Sequence, residues 1–481
     1  MGIKKNIVYT SFLTTSNYIF PLLVYPYVAR VLGVTNIGLC NFVDNIINYF
    51  ILISMMGINI MGNRQVAAEK GSRNSLDKIY SKLFSLNAIT TTIALGILIG
   101  AIYVIPTLRE NKELMWFGAI KLVSNFMLIE WFYKGLEDFK YITLRTIFVK
   151  CLYVASIFIF IHSQNDYNIY YLLTVLMVTV NALINTFHAR KFASIKFKYI
   201  KFKGVIKPFF MLGSYMIVTS FCTTFNVVFL GFVTNDTQVG YYTTATKLYS
   251  ILLAFFTGVT SVMLPRMSNL LSQGKHEEFK NYLQTSSSLL IAFSIPVILV
   301  AVIFAPQIVY LIAGPGYEGA ITPMRIIMPL MLIIGFEQIL VIQGLMPLRA
   351  DKTIMLNSSI GAIVSITLNL VLVRHLASIG SSIAWIASEM TILILSQIAI
   401  SRIMNLSFPV GNLLRSFISY APLSVLLYII YYFTDEEYYW IYLFLGVATA
   451  IVYALAMQLG VLKNPVIVKL FSSFRKKIFG I

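Results

Sequence analysis

Charged residues, cysteine and histidine are all scarce in this sequence. Asp, Glu, Lys and Arg together make up only 12% of the 481 positions, about half the fraction found in a typical soluble domain. The 3 Cys and 4 His are scattered, and Cys40, Cys151 and Cys222 lie in separate apolar segments. This spacing indicates neither a disulfide framework nor a zinc site, and it favours cysteines that serve as small apolar residues.

The sequence also lacks the motifs and loops that enzymes use. It contains no P-loop, and its one GxGxxG match, at 314–319, includes a proline and follows an apolar helix rather than a strand. The predicted outer loops are too short to hold a folded domain. We therefore expect no enzymatic activity, no catalytic residue, no cofactor and no metal site.

Long runs of apolar residues are abundant in this sequence. Hydrophobic residues occupy 58% of the chain, and the mean hydropathy is +0.80. Runs of about 20 apolar residues predict about fourteen membrane-spanning helices. The predicted spans are 6–30, 36–60, 82–105, 114–133, 143–162, 167–188, 208–232, 238–264, 283–305, 323–345, 354–373, 378–400, 417–433 and 439–460.

The first predicted span begins with a short basic segment, MGIKKNIVYTSF. No small-residue cleavage site follows it, so we interpret it as a retained helix rather than a removed signal peptide. Pro21 and Pro26 lie inside this span and are expected to kink it, because proline removes a backbone donor.

The positive charge of the chain is distributed unevenly among the predicted loops. With the N-terminus inside, the inner segments hold 29 of the 37 Lys and Arg, whereas the outer segments hold four: Arg30, Arg109, Lys112 and Arg374. The positive-inside rule then predicts that both termini are cytoplasmic. The net charge of +18 is explained by topology and contact with anionic lipids, so we do not expect nucleic acid as a partner.

The two halves of the chain align with each other at an offset of 202 residues, which later becomes 209. Ile37-Gly38 matches Val239-Gly240, and Arg64 matches Arg266. Six spans in each half predict an all-α integral membrane fold with two six-helix parallel-repeat lobes around a central cavity, followed by two additional C-terminal helices. The predicted domains are residues 1–206, 207–403 and 404–481, the last of which includes a basic tail.

Polar residues form a stripe on one helical face in each half. The second span carries Asn41, Asp44, Asn45 and Asn48, and a shift of 202 leads to Thr243, Thr246, Lys247 and Ser250 in the eighth. Hydrogen bonding between packed helices is one interpretation. An aqueous cavity is the other, and we favour it because a charge near the middle of the membrane costs about 2.5–3.5 kcal/mol.

Several further charges fall inside predicted spans. Glu130, Lys134 and Glu137 share a helical face, which favours a local pair near the inner interface. Lys121 and Arg325 are expected to extend toward the nearest interface. The carboxylates within the spans are the candidate ion-coupling residues: Asp44, Glu130, Glu337 and Glu389.

Three segments resemble those of a known transporter family. They are YPYVARVLG at 25–33, MGINIMGNRQVA at 56–67 and EWFYKGLEDFKYITLR at 130–145. They are similar to the Wzx-type polysaccharide flippases of the multidrug/oligosaccharidyl-lipid/polysaccharide (MOP) superfamily. The resemblance implies transport of undecaprenyl-pyrophosphate-linked oligosaccharide across the bacterial inner membrane by alternating access, driven by an ion gradient, for O-antigen or capsule assembly.

The resemblance also implies a substrate site and partners. The cationic residues of the family cavity would correspond to Arg30, Arg64, Lys247, Arg266 and Arg325, to which the polar stripe adds Asn41 and Asn45. Arg and Lys give charge-assisted hydrogen bonds to a pyrophosphate. The expected partners are the lipid-linked oligosaccharide, membrane lipids and the polysaccharide polymerase machinery, with the protein itself a monomer.

Three alternatives stay open at this point. A multidrug/cation antiporter of the same superfamily would favour acidic residues in its cavity. A lipid-linked sugar polymerase or ligase is disfavoured by the short outer loops. Lys247 itself has two interpretations, because it either contacts the pyrophosphate or forms an ion pair with Asp44.

Overall fold

The computed structural model describes residues 3–200, 202, 204–221, 224–435, 437–464, 466–468 and 471. Cys222 lies outside these residues. The chain divides into two compact units, Met1–Gly240 and Tyr241–Ile481. The domain bounds that we predict from the sequence, 1–206, 207–403 and 404–481, remain predictions.

The first unit is helical throughout its described part. Its α-helices are α1 (Ile3–Met55), α2 (Ile58–Glu69), α3 (Arg73–Val104), α4 (Pro106–Glu110), α5 (Lys112–Met127), α6 (Glu130–Gly135), α7 (Phe139–Phe160), α8 (Tyr167–Ala189), α9 (Ile206–Ser220) and α10 (Thr224–Val233). Short 3-10 turns cover Gln164–Asp166 and Phe197–Tyr199.

The helices of the second unit begin with one that starts just before the boundary. They are α11 (Asp236–Ser272), α12 (His276–Ile303), α13 (Ala305–Ala313), α14 (Ile321–Ile327), α15 (Leu330–Gln338), α16 (Asp351–Met404), α17 (Val410–Tyr432) and α18 (Tyr439–Ala456). A 3-10 turn covers Glu318–Ala320, and π-helical segments cover Ile339–Leu345 and Met457–Val461.

Local sequence explains where several helices start. Ser72 precedes α3, and its hydroxyl accepts the N–H of Ser75 at 3.4 Å. Asp138 precedes α7 and accepts the N–H of Tyr141 at 3.4 Å. Both side chains satisfy backbone donors that have no partner within the helix. These caps place the inter-helix loops where the apolar runs end.

Ten of the described helices are long and apolar enough to cross a membrane, or eleven if the bent pair Ile206–Ser220 and Thr224–Val233 forms one span. The number fourteen is therefore not confirmed. Part of the difference arises because α1 and α16 each run through two predicted spans, with non-helical backbone at Gly33 (φ 75°) and Ala377 (φ 46°). In α1 the non-helical dihedrals lie at Gly33, and glycine adopts a positive φ without strain. Pro21 and Pro26 lie inside this helix, and the kink expected at them stays a prediction.

The EWFYKG motif forms the core of the first unit. Trp131, Phe132 and Tyr133 are all fully buried and belong to one apolar cluster with residues of α2, α3 and α7. Gly62 faces the Trp131 indole so closely that a β-carbon there would overlap the ring. The motif therefore fixes the packing around α6, and α6 in turn carries Glu130.

A contact between repeat-related residues lies within the first unit. The hydroxyls of Thr35 and Thr237, 202 positions apart, are 2.9 Å from each other. Gly38 and Gly240, which share the same offset, lie where α1 meets the start of α11, and a β-carbon on Gly38 would overlap the Asp236 carbonyl. The glycines permit this close approach of two helices.

Candidate functional site

The polar face of α1 divides into two kinds of side chain. The amides of Asn41 and Asn45 donate to carbonyls of their own helix, at Ile37 (2.7 Å) and Asn41 (2.8 Å) respectively. Asn48 instead donates to Asp44 Oδ2 at 3.3 Å. Asn41 and Asn45 thus donate to their own helix, whereas Asn48 supports the carboxylate.

Asp44 is paired with a lysine from another helix. The Nζ atom of Lys121 lies 2.5 Å from Asp44 Oδ1 and 3.3 Å from Asn48 Oδ1. Lys121 is 8% exposed, so our expectation that it reaches toward the interface was wrong. Burial of an ammonium group is tolerated only when an opposite charge and hydrogen bonds compensate for the lost water, and Asp44 and Asn48 supply both.

The position of Lys121 follows from helix packing. Helix α5 packs against α1, α3 and α8. One turn before the lysine, Gly118 contacts Ile47 so closely that a β-carbon would overlap it. This approach brings the lysine onto the polar face of α1. No spacing rule within α1 or α5 alone identifies the pairing.

Further polar groups line the same interior of the first unit. The hydroxyls of Tyr153 and Thr174 lie 3.3 Å apart, and those of Ser124 and Thr179 lie 2.8 Å apart. Tyr171, beside Asp44, is fully buried. Helices α5, α7 and α8 thus bring hydroxyl groups together within the first unit, while many other side chains of these helices are exposed and apolar.

The pairing of Asp44 bears on the two interpretations of Lys247. Asp44 already has a basic partner, so it has no need of Lys247 for neutralisation. Lys247 is half-buried on α11, next to the buried Thr243. Contact of Lys247 with the pyrophosphate stays a proposal.

The remaining cationic candidates are exposed: Arg30, Arg64, Arg266 and Arg325. The guanidinium of Arg266 bonds to the hydroxyl of Tyr282 and lies over its ring, 4.2 Å from the centroid. Arg325 Nε donates to the Val302 carbonyl at 3.1 Å. Lys247 and Arg266 are separated by about 28 Å along one helix, so in the second unit these cations do not form one cluster.

Glu130 is held by two cations at the start of α6. Lys134 Nζ lies 2.9 Å from Glu130, which confirms the expected local pair, and Arg145 Nη2 lies at 3.6 Å. Glu137 does not share this face, because α6 ends at Gly135 and Glu137 (φ 61°) pairs with Lys70 at 3.0 Å. The predicted three-residue face was wrong at that position.

The second unit contains two carboxyl groups in contact with each other. Glu337 on α15 and Glu389 on α16 lie within hydrogen-bonding reach. Glu389 is 6% exposed and accepts the indole N–H of Trp385 at 2.9 Å. A hydrogen bond between two carboxyl groups requires a proton on one of them. The pair is thus arranged to hold a shared proton.

A second buried carboxylate, which sequence reasoning missed, lies near the start of α3. Asp77 is 2% exposed and accepts the backbone N–H of Ser194 at 2.8 Å and Lys196 Nζ at 2.5 Å. These bonds hold the basic segment that follows α8 against the first unit. Asp77 and Lys196 are 119 positions apart, so no local sequence pattern predicts their contact.

Within the described part of the chain, no group of three or more His, Cys, Asp or Glu side chains is placed to hold a metal ion. Cys40 is buried and Cys151 is exposed, and neither forms a disulfide.

Comparison with known proteins places this arrangement in a wider group. Two curated relatives, from Escherichia coli (strain K12) and Shigella dysenteriae, are each 24% identical to this chain and named "Putative O-antigen transporter". Each match covers 81% of this chain, and 94% and 98% of the respective relative.

Solved structures share the fold. The lipid II flippase MurJ, in an inward closed conformation, superposes with a TM-score of 0.79 at 14% identity, covering 94% of this chain and 99% of MurJ. An inward-facing MATE family multidrug resistance transporter of the MOP superfamily gives a TM-score of 0.64 at 13% identity, covering 84% of this chain and all of that one. The chain is accordingly an all-α, multi-pass membrane protein.

Two family sequence models also match the chain. The MatE model matches residues 211–371. The model described as polysaccharide biosynthesis protein matches residues 3–271. Because the second match spans more than half of the sequence, the chain belongs to the polysaccharide biosynthesis protein family.

Proposed function

We propose that the protein is a flippase that moves undecaprenyl-pyrophosphate-linked oligosaccharide repeat units across the bacterial inner membrane by alternating access. Family membership and the relatives named as O-antigen transporters support this substrate class. The structural observation that carries it is the ion pair of Lys121 and the half-buried Asp44, with the Tyr171 hydroxyl beside the carboxylate. Such a polar interior is costly in a membrane protein unless polar or charged cargo uses it.

The substrate presents an anion and a neutral glycan. The anionic pyrophosphate would be bound through charge-assisted hydrogen bonds by basic side chains. The candidates are Lys121, Lys247, Arg30, Arg64, Arg266 and Arg325, of which Lys247 and Arg266 are too far apart to bind it together. The side-chain amides of Asn41 and Asn45 would form hydrogen bonds with sugar hydroxyls. Lys121 enters this set because a phosphate oxygen can replace Asp44 as its acceptor.

Coupling to an ion gradient would use the carboxyl groups of the spans. Among the four candidates, Asp44 and Glu130 are each paired with a cation. Glu337 and Glu389 contact each other instead. Loss of the shared proton changes that contact from a hydrogen bond to a repulsion between two carboxylates, and return of the proton restores the hydrogen bond. We therefore assign proton coupling to this pair.

The orientation and partners follow the same proposal. Both termini face the cytoplasm, the protein acts as a monomer without enzymatic activity, and membrane lipids and the polysaccharide polymerase machinery are its neighbours. The excess of Lys and Arg in the inner loops supports this orientation.

A multidrug/cation antiporter is the second candidate, because the MatE model matches residues 211–371. A cationic drug requires an acidic site with an uncompensated charge. In the described part of the first unit, the two span carboxylates Asp44 and Glu130 are both neutralised by Lys or Arg. This pairing favours an anionic cargo.

Reconstitution separates the two candidates. The full chain is inserted into liposomes with a fluorescent undecaprenyl-diphosphate-linked oligosaccharide, and the exposure of the glycan to an impermeant lectin is measured over time. We expect lectin-accessible glycan to rise with protein and to remain constant in protein-free liposomes. Export of ethidium without movement of the glycan would support the antiporter and reject the flippase.

A further inference from the structure

The second unit contains a polar cavity that no sequence motif indicates. Its volume is about 570 Å³, within the range of small-molecule sites. It lies where α12 and α17 begin and α16 ends, and its polar lining residues are Asn281, Gln284, Thr285, Ser287, Ser288, Gln397, Ser407, Asn412 and Asn464. A smaller space of about 190 Å³ shares Ser288, Asn412 and Asn464 with it and extends to Arg415.

The lining of these two spaces mixes polar and apolar side chains and is almost uncharged. Neither space is lined by a described Asp, Glu or Lys, and Arg415 is the one charged residue in the lining. The Phe336 and Phe408 rings, 4.7 Å apart, both line the larger cavity. Amide and hydroxyl groups beside an aromatic surface match the hydroxyl groups and apolar ring face of a sugar.

Some of the polar groups build the walls and others remain available. Gln397 donates to the Leu406 carbonyl at 2.9 Å, and Asn464 donates to the Ser288 carbonyl at 3.4 Å. These bonds fix the segment after α16 and the segment after α18 beside α12.

The side-chain amides of Gln284 and Asn412 form no hydrogen bond with another described residue. Each offers both a donor and an acceptor to a ligand.

Arg415 adds a positive charge to the lining of the smaller space. Its Nη2 atom donates to the Val461 carbonyl at 2.9 Å, and the side chain is exposed. A guanidinium group has five N–H donors, so four remain for another acceptor. Phosphate is the group that arginine binds with two parallel hydrogen bonds.

We propose that this cavity binds a polyol phosphate, with the hydroxyl groups on Gln284 and Asn412 and the phosphate on Arg415. Two molecules of a bacterial membrane carry this chemistry: a glycosyl phosphate and the headgroup of phosphatidylglycerol. The site lies wholly within the second unit and does not involve Lys121, Asp44 or the carboxyl pair. The proposal therefore does not depend on the flippase assignment.

Binding is measured on the full chain in nanodiscs of phosphatidylcholine, with glucose 1-phosphate and glycerol 1-phosphate as probes and saturation-transfer NMR as the readout. We expect both probes to bind more tightly than glucose or inorganic phosphate. The double change Gln284→Ala and Asn412→Ala should weaken binding about tenfold, since two hydrogen bonds are lost. Arg415→Gln should abolish the preference for glucose 1-phosphate over glucose, and Arg415→Lys should retain part of it.

Matched controls lie on exposed positions outside the cavity. Gln273→Ala matches Gln284→Ala, and Arg402→Gln matches Arg415→Gln. Both control variants should leave binding unchanged. The proposal is overturned if the wild-type chain binds neither probe, or if the variants of Gln284, Asn412 and Arg415 bind as well as the wild type. Thermal denaturation of each variant establishes that it is folded.

A final measurement identifies which source occupies the site. Phosphatidylglycerol is added to the nanodiscs and glucose 1-phosphate binding is measured again. Competition by phosphatidylglycerol, but not by more phosphatidylcholine, assigns the site to the lipid headgroup; unchanged binding assigns it to a glycosyl phosphate. Phe408→Leu should weaken the glucose probe more than the glycerol probe, because only the sugar has a ring face to pack on phenylalanine.

Discussion

The ammonium of Lys121 lies 2.5 Å from the carboxylate of Asp44, although the two residues are 77 positions apart and lie on different helices. Asn48 contacts both groups. This pair places a positive charge in the interior of the first unit and neutralises it there.

Replacement of Lys121 by alanine should destabilise the protein by up to about 3 kcal/mol, because it leaves a partly buried carboxylate without its partner. Adding Asp44→Asn should restore most of the thermal stability, since it removes the uncompensated charge. If Lys121 also binds the substrate, the double variant stays inactive in the lectin assay while remaining folded. Restored transport would assign Lys121 to neutralisation alone.

Lys247 should behave differently from Lys121. We expect Lys247→Ala to reduce transport and Lys247→Arg to retain part of it, since the charge is kept while its geometry changes. Asp44→Asn should not rescue Lys247→Ala, because Asp44 already has Lys121 as its partner. If Lys247→Ala is fully active at normal expression, the polar face of α11 serves helix packing and not substrate binding.

The contact between Glu337 and Glu389 predicts a dependence of transport on the proton gradient. Glu337→Gln and Glu389→Gln should each abolish the response of transport to an imposed pH gradient, because a neutral amide cannot exchange the shared proton. Glu277→Gln is the matched control, as this side chain is 83% exposed. The assignment fails if both variants of the pair keep the wild-type response.

Gly38→Ala should destabilise the first unit by about 1–3 kcal/mol or more, the range for overpacking, because the new methyl group would overlap the Asp236 carbonyl. Gly100→Ala in α3 is the control, since a β-carbon there meets no atom within 4 Å. The control should change stability by less than about 1 kcal/mol. Equal melting temperatures for the two variants would contradict the close contact.

The uneven distribution of Lys and Arg predicts the topology directly. Reporter fusions after Lys198 and at the C-terminus should both give cytoplasmic signals. Lys198 follows the segment that Asp77 holds through Ser194 and Lys196, so the fusion reports the position of a fixed part of the chain. An external signal at either site would require an odd number of spans before it.

The local features of the chain could be predicted because neighbouring residues determine them. The Glu130–Lys134 pair is confirmed since residues four apart lie on the same side of a helix. The same periodicity was wrong for Glu137, where α6 has already ended. The two spans predicted on either side of residue 33 merge in α1, because glycine there lets the chain change direction without a loop.

By itself, the sequence determined that this is an all-α membrane protein of a recognisable transporter family, since long apolar runs can satisfy their backbone groups in lipid only as helices. Tertiary structure alone decided which polar groups meet. Lys121 was expected at the interface and lies instead beside Asp44; Glu337 and Glu389 lie side by side; and Gln284, Asn412 and Arg415 line connected spaces. Helical periodicity specifies the face on which a side chain stands, but the helix that packs against that face depends on contacts between residues far apart in sequence.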